Sequence, residues 1–307
     1  MTTRDDGATA TERSRRVLIA GASGYLGGYV LREFKRRGWW VRALVRDARR
    51  LGALAELVDE IHRGDVTRPA ELAGACEQIE VVFSSVGLMQ RQAGRTFEQV
   101  DRLGNQNLLR EATTAGVRKF LYVSSLNGVS HRHLEIVRAH EAFAADLAAS
   151  GMDYTVLRPT GYFSDLGEIL RMARRGRVFL FGAGDHRINP IHGADLAVTC
   201  VDAATSDARD IDVGGPEVLT YRAIAEAAFA ALARPPKITS VPPWLARAGA
   251  KNLQRISRHY GDVLSFLTET TLVDTIGPRS GTQRIADYFT RLVRAGAQVE
   301  RAQDRAA

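Results

Sequence analysis

The sequence predicts an α/β fold, a doubly wound parallel sheet with helices on both faces and a smaller region added to it. Three observations indicate this fold. Short apolar runs alternate with amphipathic stretches, a glycine-rich turn joins the first run to the first helix, and the alternation fails after Pro159. The 307 residues, 45% hydrophobic and 25% charged, are enough to bury a sizeable core.

Six strands are predicted from the apolar runs, each followed by a helical segment or a loop. The predicted strands are residues 16–21, 39–46, 60–66, 79–87, 118–125 and 154–159. The predicted helices are residues 24–37, 51–60, 97–116 and the stretch that begins at His133. Because strands that alternate with helices usually run parallel, we expect one parallel sheet covered on both faces.

The chain after Pro159 is less regular. A new helix is predicted to begin at Asp195, a strand to lie near 211–213, and another helix to begin at about Tyr221. A proline-rich link at 234–244 then leads into a helical and loop-like stretch. This pattern indicates a second, smaller region that is partly interleaved with the first.

Charge and cysteine content argue against several classes of protein. Lys+Arg exceed Asp+Glu by 42 − 35 = 7, but the arginines are scattered among acidic residues, so we predict no nucleic-acid partner. Cys76 and Cys200 lack disulfide or zinc-site spacing, so we expect reduced thiols, no metal and a cytoplasmic location. The polar residues 1–14 do not resemble a signal peptide, and no apolar run approaches the ~18 residues of a membrane span.

A glycine-rich loop follows the first predicted strand and opens the first helix. Gly21, Gly24 and Gly27 have the spacing and context of a dinucleotide-binding turn. They permit a tight turn, a close approach of the backbone to a pyrophosphate, and close packing of the helix on the sheet. Free N–H groups at the helix N-terminus then attract the phosphates. The predicted contacts are Gly21, Ser23, Gly24, Tyr25, Leu26 and Gly27. The alternative is a turn that binds nothing.

The residue at the end of the second strand indicates which dinucleotide binds. An NAD-binding fold usually places an acidic residue there to hold the ribose 2′-hydroxyl, whereas this chain has Arg46. A cation suits the 2′-phosphate, so we predict NADP as the cofactor. Asp47 comes next and is the argument for NAD; its other role is to cap the following helix.

Six motifs along the chain form a set. They are the glycine loop and residues 44–47, 64–66, 122–125, 157–163 and 213–221. Together they resemble the short-chain dehydrogenase/reductases, on the atypical, NmrA-like and isoflavone-reductase-like side of that superfamily. The resemblance covers roughly Arg16 to Leu292 and implies a Rossmann core. It also implies further cofactor contacts, namely Asp65, Val66, Ser85, Val86, Gly87, Ser124, His140, Pro159, Thr160, Gly161 and Phe163.

The pattern along the chain predicts a dinucleotide-binding domain and a smaller, partly interleaved substrate-binding region. The predicted segments are 1–14 (disordered tail), 15–160 (Rossmann domain, to which 189–214 return), 161–188 and 215–295 (substrate-binding region), and 296–307 (tail). We expect a monomer or a homodimer.

The family's usual catalytic residues are an asparagine, a serine, a tyrosine and, four residues later, a lysine. By alignment on the motifs, the first two positions hold Asp101 and Ser125, and the last two hold Ile136 and His140. None of the eight tyrosines has a lysine four residues later. A phenol acidified by a nearby lysine therefore cannot be the proton donor.

Three outcomes are open. His140 can donate the proton, because imidazole titrates near neutral pH, or it can hold the ribose in place of the lysine. The substrate can polarise its own carbonyl through a neighbouring phenol. In the third outcome the protein binds the dinucleotide without chemistry, as a regulator or assembly factor. The predicted catalytic set is Ser125, His140 and Asp101.

We predict an NADPH-dependent reductase of an aromatic, polyketide-like ketone, similar to the angucyclinone ketoreductases of antibiotic biosynthesis. The chain after Pro159 supplies apolar and aromatic residues for such a pocket. They are Tyr162, Phe163, Leu166, Met172, Trp244, Tyr260 and Phe266. The alternative is that most of them are core residues.

Overall fold

The computed structural model describes residues 15–88, 94–126 and 128–304, and the predicted tail at 1–14 lies outside them. The strands, in chain order, are β1 (Arg16–Ala20), β2 (Trp40–Val45), β3 (Glu60–Arg63), β4 (Val81–Ser84), β5 (Lys119–Val123), β6 (Asp153–Pro159), β7 (Val178–Phe181), β8 (Arg187–Ile188), β9 (Asp210–Val213), β10 (Leu219–Thr220) and β11 (Ile238–Val241).

Helices separate these strands. They are α1 (Tyr25–Arg36), α2 (Asn105–Thr114), α3 (Glu135–Ala149), α4 (Phe163–Arg174), α5 (Gly193–Asp202), α6 (Tyr221–Ala231), α7 (Pro243–Ile256), α8 (Arg258–Thr271) and α9 (Ile285–Asp304). Shorter 3₁₀ segments are Ala48–Glu56, Pro69–Leu72, Gly128–His131 and Ala203–Thr205. Among the described helices, none combines the length and the apolar composition that a membrane span requires.

Seven strands form one sheet in the order β3-β2-β1-β4-β5-β6-β9. Every neighbouring pair is parallel. The direction of strand addition reverses between β1 and β4, so the carboxyl ends of these strands border a crevice suited to a ligand. The predicted doubly wound parallel sheet is therefore confirmed, and the strand predicted near 211–213 is its edge strand β9.

Each face of the sheet is buried under helices. Val17 and Ile19 of β1 join the core beneath α1 and α5, whereas Leu18 joins the core beneath α2 and α3. Successive side chains of a strand point to opposite faces, and both faces are covered here. This double burial explains why the strands read as continuous apolar runs in the sequence.

A third core lies in the second region of the chain, between α4, α6 and α9. Phe163, Ile224, Phe229 and Phe289 are large side chains that are almost completely buried in it. Two small sheets accompany it, in which β7 pairs with β11 and β8 pairs with β10. Helices α7 and α8 pack against each other and complete this region.

Several predicted bounds are corrected. Residues 51–60 are not one helix, because a 3₁₀ segment interrupted at Gly52 (φ 53°) ends at Glu56 and β3 begins at Glu60. The helix predicted at 97–116 is a π-helical turn, Glu98–Gly104, followed by α2.

Two further bounds differ from the prediction. The link predicted at 234–244 contains β11, which is paired with β7. Helix α9 continues to Asp304, into the segment predicted as a tail. The division into domains stays a prediction.

Candidate active site

The candidate site is a cavity of about 400 Å³ at the carboxyl ends of β4, β5 and β6, walled also by α3, α4 and α8. Residues predicted to bind the cofactor or to act in catalysis line it together. They are Ser85, Val86, Gly87, Asp101, Ser124, Ser125, His140, Pro159, Thr160 and Gly161. Ile136, at the usual tyrosine position, lines it as well. The structure thus brings these residues to one place, while their individual roles stay predictions.

The glycine loop lies beside this cavity, between β1 and α1. Gly21 has a φ of 88°, which favours glycine, and a Cβ there would lie 2.9 Å from Oγ of Ser85. A Cβ at Gly27 would lie 2.1 Å from the carbonyl oxygen of Gly21, so glycine is required for α1 to start this close to the turn. Gly24 precedes α1 in an extended conformation and is exposed. The loop therefore fits a pyrophosphate at the N-terminus of α1.

Two of the predicted phosphate contacts use their side chains elsewhere. The phenol oxygen of Tyr25 accepts a hydrogen bond from the backbone N–H of Gly193 at 3.0 Å, so it holds the start of α5. Leu26 is 4% exposed and belongs to the core beneath α1. These residues therefore offer a phosphate their backbone N–H groups only. Ser23 lies half-buried in the turn itself.

Arginine side chains cluster near the end of β2. Arg95 forms a two-point ion pair with Asp65, with Nη1–Oδ1 at 3.1 Å and Nη2–Oδ2 at 2.5 Å. The pKa of Arg46 lies below its usual value, mainly because the side chain is partly buried. The nearby carboxylate of Asp65 raises this pKa, whereas the guanidinium groups of Arg95 and Arg50 lower it. Arg46 therefore lies near one carboxylate, Asp65, and near two further guanidinium groups. Val66, next to that carboxylate, is buried.

The two acidic residues of this corner have local partners. Burial raises the pKa of Asp65, but hydrogen bonds from Arg95 and Thr67 outweigh it and hold that pKa well below its usual range. Asp47 accepts a hydrogen bond from the backbone N–H of Arg49 at 3.1 Å and pairs with the Arg49 guanidinium at 2.9 Å. Asp47 thus has the capping role that the sequence offered as its alternative.

His140 and Asp101 form a hydrogen-bonded pair in the cavity wall. Nε2 of His140 lies 2.8 Å from Oδ1 of Asp101, whose side chain is fully buried. The same carboxyl group accepts the backbone N–H of Leu88 at 3.1 Å. Because a carboxylate only accepts, Nε2 carries the hydrogen of this bond. Nδ1 of His140 is buried and has no hydrogen-bond partner within the described residues.

Two residues predicted to touch the cofactor also make structural contacts. Oγ of Ser124 donates to Glu141 at 2.9 Å, and the same Glu141 oxygen accepts from Arg158 at 2.5 Å. Phe163 is 1% exposed in the third core, where its ring lies 5.6 Å from that of His192, and it does not line the cavity. The side chain of Phe163 is therefore a core residue, and its predicted contact with the cofactor stays a prediction.

Asp165 lines the cavity but was not among the predicted site residues. It lies in the first turn of α4, and its carboxyl group is bonded locally, to the Ser164 hydroxyl at 3.5 Å and to the Tyr162 backbone. Its side chain is exposed to the cavity, yet the surrounding walls displace enough water that burial raises its pKa to about 6. Acidic residues are common in the first turn of a helix, so the sequence alone does not distinguish Asp165 as a site residue.

The other walls are mostly apolar. Of the residues predicted for a pocket, those that line the cavity are Tyr162, Leu166, Met172 and Phe266. Trp244 and Tyr260 lie outside its lining and are 68% and 47% exposed. No group of three His, Cys, Asp or Glu side chains that could hold a metal ion occurs in the described part of the chain. Cys76 is buried, which raises the pKa of its thiol to about 12.

Comparisons with known proteins show which family and which relatives this chain is similar to. A family model described as NAD(P)H-binding matches residues 21–207. A divinyl chlorophyllide a 8-vinyl-reductase of Oryza sativa subsp. indica is 27% identical over 320 residues, which cover 91% of this chain and 79% of that protein. The photosystem II assembly factor Ycf39 of Synechocystis is 30% identical over 151 residues, which cover 49% of this chain and 46% of that protein.

A solved structure has the same fold. The NADPH-dependent quinone oxidoreductase QOR2 of Escherichia coli, complexed with NADPH, aligns with a TM-score of 0.70 at 22% identity and covers 90% of this chain and 99% of that chain. The predicted nicotinamide dinucleotide cofactor is confirmed by the family match, which spans more than half of the sequence. The chain therefore belongs to the NAD(P)H-binding family, on the atypical short-chain dehydrogenase/reductase side that its motifs resemble.

Proposed function

We propose that this protein is an NADPH-dependent reductase that transfers a hydride to a ketone of a flat, apolar, aromatic substrate. The observation that carries the proposal is the cavity in which predicted cofactor residues share a wall with apolar side chains of α4 and α8. Its volume of about 400 Å³ suits a small organic molecule. The similarity to a vinyl-reductase over 91% of the chain supports a reductase.

We infer NADP rather than NAD from the corner at the end of β2. Arg46 lies beside Asp65 at this corner, and the guanidinium groups of Arg50 and Arg95 act on it. Asp47, the acidic residue that could have favoured NAD, forms an ion pair with Arg49. A 2′-phosphate bound here would accept charge-assisted hydrogen bonds from guanidinium groups.

The residues of this chain suit a catalytic arrangement without the tyrosine and lysine. NADPH, when bound, supplies the hydride. His140, oriented by Asp101, lines the cavity at the usual lysine position and holds the ribose in place of the lysine. Ser125 donates to the carbonyl oxygen of the substrate, and apolar walls exclude water. A phenol beside the ketone adds an internal hydrogen bond that polarises the carbonyl, a feature of angucyclinone-like aromatic polyketides.

The direct test is NADPH oxidation with a panel of hydroxyquinones and aryl ketones. We expect turnover of compounds that carry a phenol next to the carbonyl, and the matched control for each is its O-methylated form. Tight binding of NADPH without turnover of any member of the panel would contradict a reductase of this substrate class.

A second candidate function is a dinucleotide-binding regulator or assembly factor. The similarity to Ycf39, an assembly factor, over 49% of the chain favours it, as does the missing catalytic pair. In that case NADPH binds and a protein partner is recruited, but NADPH is not consumed. The NADPH oxidation assay separates the two functions.

A further inference from the structure

We infer that Asp165 is the proton donor of this site, an inference that rests on the proposed reductase function. Reduction of a ketone needs a hydride and a proton. A C–H bond forms at the carbonyl carbon, the C=O π bond breaks, and the oxygen takes its proton from the carboxyl group of Asp165. NADPH is oxidised to NADP⁺, the ketone becomes an alcohol, and water then reprotonates the carboxylate.

The position of Asp165 is that of a donor. Helix α4 begins four residues after the end of β6, and Asp165 in its first turn lines the same cavity as Ser125, His140 and Thr160. Its carboxyl group has no cationic partner within the described residues and is bonded only to its own turn, through Ser164. The acidic hydrogen is therefore available to a molecule in the cavity.

The surroundings of Asp165 favour the protonated form of its carboxyl group. Tyr25 of α1 and Tyr288 of α9 lie close enough for the carboxylate charge to raise their pKa values, and Tyr162 precedes it. None of these neighbours is a cation, and burial raises the pKa of Asp165 to about 6. A bound substrate displaces more water and raises this pKa further, toward the value that suits a general acid at neutral pH.

Other titratable groups of the cavity either form hydrogen bonds or ion pairs with the protein, or are too weakly acidic to donate a proton. Asp101 is bonded to His140 at 2.8 Å, and Glu168 forms an ion pair with an arginine one turn later. Burial raises the pKa of both tyrosines in the lining, Tyr162 and Tyr221, so neither is activated as an acid. His131, in the 3₁₀ segment before α3, also lines the cavity and is tested by its own variant.

The kinetic test compares four variants under saturating NADPH with the acceptor that the parent protein reduces. Asp165→Asn should lower kcat by about 10²–10⁴-fold with little change in KM, because general acid catalysis is lost while the shape is kept. Asp165→Glu should restore part of the rate. Asp287→Asn removes an exposed first-turn acid of α9 outside the cavity and should leave kcat unchanged. His131→Gln tests the remaining imidazole and should cost little.

The pH profile gives an independent signature. In the parent protein kcat should fall as pH rises through the pKa of Asp165 in the ternary complex, because the donor must be protonated. This fall should be missing in Asp165→Asn. A kcat of Asp165→Asn within about threefold of the parent, or a large loss in His131→Gln instead, overturns the inference while the reductase function stands.

A readout that needs no substrate separates this inference from the proposed function. Carbon-13 NMR of the aspartate carboxyl groups, assigned by comparison with Asp165→Asn, measures the titration of Asp165 in the NADP⁺-bound protein. We expect a midpoint clearly above the ordinary value of about 3.9. A midpoint near the ordinary value contradicts a donor role whether or not an acceptor has been found. Circular dichroism confirms that Asp165→Asn is folded.

Discussion

Arg46 lies in a corner where two further guanidinium groups, those of Arg50 and Arg95, act on it. Like charges repel, and a bound anion reduces the repulsion. Asp65 forms an ion pair with Arg95 at 2.5 Å. We propose that the 2′-phosphate of NADP is the anion that Arg46 meets here.

At the residue scale, Arg46→Ala should weaken NADPH binding by about 1.5–3 kcal/mol, the size of a lost charged hydrogen bond, and spare NADH. Isothermal titration calorimetry with both cofactors measures the difference. Arg49→Ala is the matched control, since Arg49 is exposed and paired with Asp47. Equal affinity of the parent protein for NADPH and NADH would show that the NADP assignment is wrong.

His140→Ala should lose less than the 10²–10⁴-fold in kcat that removal of an essential acid costs, because His140 is assigned to the ribose. O-methylation of the substrate phenol should cost more than this mutation. The comparison is made on kcat under saturating NADPH, so that a defect in cofactor binding is not taken for lost catalysis. A thousandfold loss in His140→Ala with normal turnover of the methylated substrate would reverse the assignment.

At the scale of elements, α3 is joined to the sheet by a buried charge network. Glu141 of α3 is 5% exposed and accepts hydrogen bonds from Ser124 and from Arg158 of β6. Arg158 also reaches Asp210 of β9 at 3.0 Å. The network keeps the helix that carries His140 and Ile136 in register with the ends of β5 and β6.

Glu141→Ala should lower the free energy of unfolding by about 3 kcal/mol, since it leaves a largely buried guanidinium without its main partner. Urea unfolding followed by circular dichroism measures the loss. Asp210→Ala is the control on the same arginine. Its carboxylate is 55% exposed, so its loss should cost under about 1 kcal/mol. Similar losses in the two variants would argue against the network.

The turn between β1 and α1 allows a test that separates binding from folding. A side chain at Gly24 enters the space that the pyrophosphate needs, and Gly24→Val should abolish dinucleotide binding while the protein remains folded by circular dichroism. Gly249→Ala in α7, where an added Cβ meets no atom within 4 Å, should keep parental affinity. Binding at parental affinity in Gly24→Val would remove this loop from the site.

At the scale of the whole molecule, we expect the cofactor to contact both halves of the doubly wound sheet and to stabilise it as a unit. NADPH at 100 times its Kd should raise the free energy of unfolding by about 2.7 kcal/mol. Differential scanning fluorimetry should show a rise in Tm with NADPH and a smaller one with the same concentration of NADH. Arg46→Ala should make the two shifts alike, and an unchanged difference would place the 2′-phosphate elsewhere.

Much of the sheet and part of the site could be predicted from the sequence. Strands buried on both faces must be continuously apolar, and side chains at their carboxyl ends must meet at one edge, so Ser85, Ser125 and Pro159 were correctly expected together. The exchange of tyrosine and lysine for Ile136 and His140 is also visible in the sequence, because these positions are one helical turn apart.

The amino-acid sequence by itself determined the alternation of strands and helices, the glycine turn and the arginine at the end of β2, because each depends on neighbours within one or two elements. Tertiary structure alone decided which side chains face the cavity. Phe163 and Asp165 are two residues apart on α4, yet one packs in the third core and the other lines the cavity. That outcome depends on how α4 rotates against α6 and α9, a packing of distant segments that no local pattern encodes.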